Sequence, residues 1–184
     1  MRVLLAAAGL SLALSSTAAL AADAENTLYL DLKNDCRVVI DLRPDLAPKH
    51  VARIKELARM GFYDGLTFHR VIDGFMVQGG DPIGNGTGGS GQKLPAEFSS
   101  EKHVRGVTSM ARSSSPDSAD SQFFIMLADT PSLDGKYTVW GKVSQGMDCV
   151  DNIKKGSASA NGSVSNPDKI IHLSVAADAD KKKK

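Results

Sequence analysis

The fourteen residues Phe68–Asp81, FHRVIDGFMVQGGD, restrict this chain more than any other segment. Apolar runs on either side of Asp73-Gly74 read as two short strands, 66–72 and 75–78, joined by a turn. One arginine, Arg70, lies among Phe68, Val71, Ile72, Phe75, Met76 and Val77, with Gln78 close behind. Period-two spacing sets Phe68, Arg70 and Ile72 on one face, and Phe68, Phe75 and Met76 are expected to form one apolar wall. A charge in such company needs a partner or a task, because an unpaired buried charge is costly. Gln78 is placed to hydrogen-bond the guanidinium and fix its direction. An isolated cation among aromatics, with no obvious acid, thiol or metal motif beside it, suits a site that holds an apolar group and offers one strong donor.

The strand theme recurs along the chain. Residues 27–33 alternate, with Leu28, Leu30 and Leu32 on one face, and after the Asn34-Asp35 turn signal residues 36–42 alternate through Val38 and Ile40. The two runs read as a hairpin. Residues 106–112, 122–127, 137–143 and 169–175 are further strands. Pro48 suits the first turn of a helix and Gly61 its stop. Between them Val51, Ile54, Leu57 and Ala58 form an apolar stripe, with His50, Arg53, Lys55, Glu56 and Arg59 on the wet side. A second helix is expected over 147–155. Loops rich in Gly, Ser, Pro and Asp separate these pieces, notably 80–96, 113–120 and 156–168. The pattern predicts an all-β dominated fold, a closed antiparallel barrel capped by two α-helices. No internal repeat or linker divides it.

The first 21 residues read as a cleaved signal peptide. Arg2 opens a basic start, Val3 to Leu14 is apolar, and Ala19-Leu20-Ala21 is an A-x-A cleavage pattern. The run is shorter than the roughly 20 residues of a membrane span, and no other stretch is apolar enough, so no span is expected after cleavage. The domain is expected over 22–178, with a disordered lysine-rich tail over 179–184. Cleavage removes one basic residue and no acid, leaving 21 basic against 21 acidic residues. That balance argues against nucleic acid as a partner. Export permits a disulfide between Cys36 and Cys149, the two cysteines, and free buried thiols are the alternative.

Other motifs fail on context. Gly84–Gly89 fits G-x-G-x-x-G, but Pro82 and the glycine density forbid the helix such a loop must open, and Ser109 stands where a ribose-binding acid is needed. Gln92 separates Gly91 from Lys93, which breaks the P-loop pattern. His50, His69, His103 and His172 are dispersed without metal-ligand spacing, so no metal site is expected. His69 reads as a hydrogen-bonded structural histidine or a general base. No G-x-S-x-G elbow is present. Asn85-Gly86-Thr87 and Asn161-Gly162-Ser163 are formal glycosylation sequons, relevant only in a eukaryotic secretory route.

Taken together, FHR-x-I-x-GFM-x-QGGD at 68–81, NGTGG at 85–89, SMA at 109–111, SQFFI at 121–125, LDGK at 133–136 and GKV-x-x-GM at 141–147 resemble, in order, the sequence blocks of the cyclophilin family of peptidyl-prolyl cis-trans isomerases. The resemblance covers residues 27–175. It implies eight strands in the barrel, no cofactor, and proline-containing polypeptides as substrates. Arg70 then corresponds to the catalytic arginine and Gln78 to the residue that orients it. Phe75, Met76, Phe124 and Leu133 correspond to the proline pocket, with His69 and Tyr137 beside it. Ala111, Arg112 and Ser113 correspond to the strand that pairs with substrate backbone, and Gly86 and Thr87 to the neighbouring groove.

Ser132 replaces the tryptophan of many eukaryotic members, which implies weak cyclosporin binding. Tyr137 replaces their histidine. The longer loop 112–120 is similar to the bacterial branch and, with the signal peptide, implies a periplasmic protein. A monomer is expected. The alternative to an enzyme is a non-catalytic peptide-binding chaperone on the same barrel, which would have no need of Arg70.

Overall fold

Alternation of buried leucine with half-exposed residues makes the first strand, β1 (Thr27–Leu32). It turns into β2 (Cys36–Leu42) through Asn34 and Asp35, at φ 60° and 55°. Two successive positive φ values give the hairpin turn whose twist suits the flanking strands, and Asn and Asp tolerate them. The computed structural model describes residues 23–179. The signal-peptide reading of 1–21 and nearly all of the tail lie outside them.

The remaining strands are β3 (Arg70–Ile72), β4 (Met76–Gly79), β5 (Val107–Met110), β6 (Phe123–Met126), β7 (Val139–Gln145) and β8 (His172–Val175). They form one antiparallel sheet in the order β3-β4-β6-β5-β7-β2-β1-β8. The expected closed barrel is corrected here: the ladder has two ends, β3 and β8, and the sheet curls into an open half-barrel. The reason lies in residues 66–69, expected to extend β3. They leave strand geometry, and Thr67 makes only isolated bridges to Lys169 and Asp81. Single bonds span the seam, Gly65 N–H to Ile170 O and Phe68 N–H to Asp168 O, both within 3.0 Å.

The same irregularity corrects the expected apolar wall. Phe68 is fully buried in the main core with Val71, Val77, Phe123 and Ile125. Ile72, Phe75 and Met76 belong to a second cluster around Phe124 and Met126. Within β3 period two holds, but it does not reach back to Phe68. Each fully buried side chain such as Leu28, Leu30 or Ile40 contributes about 1.5–3 kcal/mol.

Helix α1 (Pro48–Arg59) carries its stripe of Val51, Ile54, Leu57 and Ala58 into the core. His50, expected on the wet side, is fully buried. The segment around Glu97 crosses the helix start, and its carboxylate accepts from the Lys49 and His50 amides and faces His50 Nδ1 at 2.8 Å. It therefore caps the orphan N–H groups from outside the helix. Arg53 is also largely covered, bonded to Glu56 and Ser90. The second helix, α2 (Met147–Asp151), is shorter than expected. A Cys36–Cys149 disulfide, with Cα atoms 5.8 Å apart, ties it to the start of β2.

Candidate active site

Strand register assembles the site. Arg70 pairs with Gln78, Gln78 with Phe124, and Phe124 with Ser109, a single row across four strands. Because neighbours alternate faces, Val71, Val77, Phe123 and Ile125 pack the main core while this row faces the other way.

The Arg70 guanidinium is held by neutral oxygens. Its Nη1 donates to Gln78 Oε1 at 3.1 Å, its Nε to Asn161 O at 3.0 Å and its Nη2 to Asn161 Oδ1 at 3.1 Å. Gln78 is fixed in turn: its Nε2 donates to Gln122 Oε1 at 3.0 Å, and Gln122 Nε2 to Gly88 O at 2.8 Å. Among the described residues no carboxylate lies within ion-pair distance of Arg70. Burial pulls its pKa below the usual arginine value, against the attraction of Tyr137. An arginine so placed stays charged at neutral pH.

Beside it opens a groove of about 600 Å³, lined by His69, Arg70, Phe75, Met76, Gln78, Gly86, Ala111, Arg112, Phe124, Leu133 and Tyr137, and also by Asn161. Tyr137 meets Phe124 edge-on, centroids 5.6 Å apart. Thr87 and Ser113 lie outside this groove. They line an adjoining one of about 300 Å³, which shares Gln78, Gly86, Ala111 and Arg112. The expected residues thus fall into two connected grooves.

The glycine-rich loop wraps a carboxylate. Buried Asp81 accepts the backbone N–H groups of Ile83, Asn85 and Gly86 at 2.8, 3.0 and 2.5 Å. Burial opposes its charge, but these amides outweigh burial and hold its pKa below 3.8. A side chain on Gly88 would collide with Asp81 Oδ1. The loop therefore binds its own acid, which explains the glycines without a phosphate ligand. His69 is buried behind it, and burial lowers its pKa against the pull of Asp81.

The Arg112 side chain is committed to the protein. It donates from Nε and Nη2 to Lys136 O and from Nη1 to Ser113 O, and it lies 4.5 Å over the Tyr137 ring. It joins the loop after β5 to the loop carrying Leu133 and Tyr137.

Sequence reasoning missed the roles of Asn161, which acts on Arg70 from a distant loop, and of Gln122, which acts on Gln78 from the residue before β6. It also missed a buried chain, Ser109 Oγ to His103 Nε2 at 3.0 Å and His103 Nδ1 to Asp134 Oδ1 at 3.3 Å. Burial lowers the His103 pKa against the pull of Asp134. The set has the order of a hydrolase triad, but Ser109 is 0% exposed and lines neither groove. Its visible effect is to hold His103 stacked on Phe124, centroids 6.3 Å apart. Among the described residues no three His, Cys, Asp or Glu side chains group as metal ligands.

This fold and this groove are those of a prolyl isomerase scaffold. Residues 28–175 match the family described as cyclophilin type peptidyl-prolyl cis-trans isomerase/CLD. The chain is 59% identical over 170 residues to a probable peptidyl-prolyl cis-trans isomerase of Brucella suis biovar 1, covering 86% of each. It is 44% identical over 132 residues to peptidyl-prolyl cis-trans isomerase B of Bacillus subtilis, covering 71% of this chain and 92% of that one. A crystal structure of a Cryptosporidium parvum cyclophilin type isomerase, determined in the presence of the dipeptide Ala-Pro, superposes with a TM-score of 0.73 at 28% identity. That match covers 81% of this chain and 98% of the other. The chain belongs to the cyclophilin-type peptidyl-prolyl cis-trans isomerase family.

Proposed function

We propose that this isomerase rotates X–Pro bonds in exported polypeptides, with Arg70 as the group that acts on the reacting amide. The observation that carries the reading is a half-buried, uncancelled positive charge held in one direction beside the apolar wall of the groove, which Phe75, Met76, Phe124 and Leu133 form. Amide resonance sets a barrier of roughly 20 kcal/mol for the rotation. At the twisted transition state resonance is lost and the proline nitrogen regains a lone pair. A donor aimed at that nitrogen binds the twisted state and not the planar one, which is the condition for catalysis. The proline ring rests against Phe75, Met76, Phe124, Leu133 and Tyr137. Residues 111–113, which leave the sheet after β5, hold the backbone on one side of the bond while the other side turns. Every step is a matter of binding and orientation, with no covalent intermediate. A barrier reduction of about 4 kcal/mol gives roughly a thousandfold rate.

Two observations support an exported, periplasmic setting. Residues 1–21 have the pattern of a signal peptide, and the Cys36–Cys149 bond suits an oxidising compartment. Weak cyclosporin binding is supported by a groove lining without an indole: Ser132, exposed beside the lining residue Leu133, stands outside it, and Trp140 is buried in the core.

The test is isomerisation of an Ala-Pro peptide by wild type and Arg70→Ala. Loss of one such donor is expected to lower kcat/KM roughly a hundredfold to a thousandfold, with peptide binding largely kept. A folded wild type that binds peptide without accelerating rotation would leave only a binding module.

A further inference from the structure

Strand β3 is an edge strand, yet its free edge is not bare. Loop 156–164 lies along it: Val71 N–H donates to Gly162 O, Gly156 N–H to Val71 O and Val164 N–H to His69 O, and Arg70 bridges to Ser163. The tip of this loop is Asn161, which ends a short turn of 3-10 helix with φ 51°. Asparagine is among the few residues that accept this left-handed conformation at low cost. In that conformation both of its oxygens meet Arg70, the carbonyl at Nε and Oδ1 at Nη2.

A guanidinium has five N–H donors. Asn161 takes two and Gln78 takes one, so two remain for a substrate. Three acceptors from two directions fix the plane of the group. All three are neutral amide oxygens. A carboxylate would orient the guanidinium as firmly, but it would cancel the charge that the developing lone pair needs.

We propose that Asn161 is a positioning residue for Arg70, orienting its guanidinium through two neutral oxygens while leaving its charge free for the substrate. The inference rests on the reading of Arg70 as the catalytic donor.

Two variants test it. Asn161→Gly removes Oδ1 but keeps the backbone carbonyl and the left-handed turn. Its kcat should fall roughly tenfold, the rate equivalent of one hydrogen bond to a charged group, with KM and Tm little changed. Asn161→Asp keeps the acceptor and adds a charge. Its kcat should also fall at neutral pH, then recover relative to wild type as pH drops through the pKa of the new carboxyl. His69, Arg112 and Tyr137 are the other titratable groups lining the groove, and the comparison with wild type cancels them. Wild-type turnover in Asn161→Gly, or an Asn161→Asp profile parallel to wild type, would overturn the proposal. A substrate-free readout separates it from the isomerase reading. The Arg70 Nη2 protons should show hindered rotation by NMR in wild type and averaging in Asn161→Gly. Averaging in wild type refutes the positioning role, whereas an inactive wild type with hindered Nη2 refutes only the assigned activity.

Discussion

Reducing the Cys36–Cys149 bond should cost this fold a large part of its stability. The bond joins residues 113 apart in sequence, nearly the whole of the sheet from β2 to α2. Closing a loop of that length in the unfolded chain removes entropy worth about 5 kcal/mol at 25 °C. For a domain of this size each kcal/mol moves Tm by roughly 2–4 °C, so the reduced protein should melt about 10–20 °C below the oxidised one. The assay is calorimetric melting with and without a thiol reductant, beside a Cys36→Ser, Cys149→Ser variant that should melt low under both conditions. Neither cysteine lines the groove, so isomerisation measured well below the melting point should be unchanged. A reduced protein that melts within about 2 °C of the oxidised form would refute the reasoning, since that shift is worth no more than about 1 kcal/mol. It would mean that the reduced chain is already restrained, or that the native bond is strained by as much as it saves.

Further outcomes follow from the site. Phe124→Ala should cost about 3–5 kcal/mol in urea unfolding, because the ring is 5% exposed, and should raise KM through loss of the pocket wall. Arg112→Ala should raise KM more than it lowers kcat, by freeing the loop that carries Tyr137. Arg112→Lys should not restore it, since an ammonium can neither stack as a plane nor fork to Lys136 O; a fully active lysine variant would count against the clamp. Asp81 has a folded pKa below its ordinary value of 3.8. Its contribution to stability is therefore complete above that value and lost as pH falls through the lower folded value. Unfolding midpoints of wild type and Asp81→Asn should thus converge below about pH 4, and a gap independent of pH would refute the assignment.

Much of the architecture was legible because strand and helix periods are local. Leucine alternation in β1, the stripe in α1 and the Asn34-Asp35 turn each depend on sterics between near neighbours. Failures came where a distant segment intervenes. His50 looked solvent-facing on its own helix, but Glu97 lies over that helix start. Phe68 looked like a continuation of β3, but the seam with residues 168–170 draws residues 66–69 out of the strand. The helix over 147–155 ends early, at Asp151.

The sequence by itself determined which chemistry is present: an arginine and a glutamine eight residues apart, aromatic and methionine side chains for an apolar groove wall, and a glycine-rich loop unable to open a helix. Tertiary structure alone decided where that chemistry meets. The register that aligns Arg70, Gln78, Phe124 and Ser109, the pairing of Cys36 with Cys149, and the approach of Asn161 to Arg70 across 91 residues all depend on how the sheet curls and how its loops pack. Local preferences extend only a few residues along the chain, whereas these contacts are set by burial and hydrogen-bond satisfaction across the whole fold.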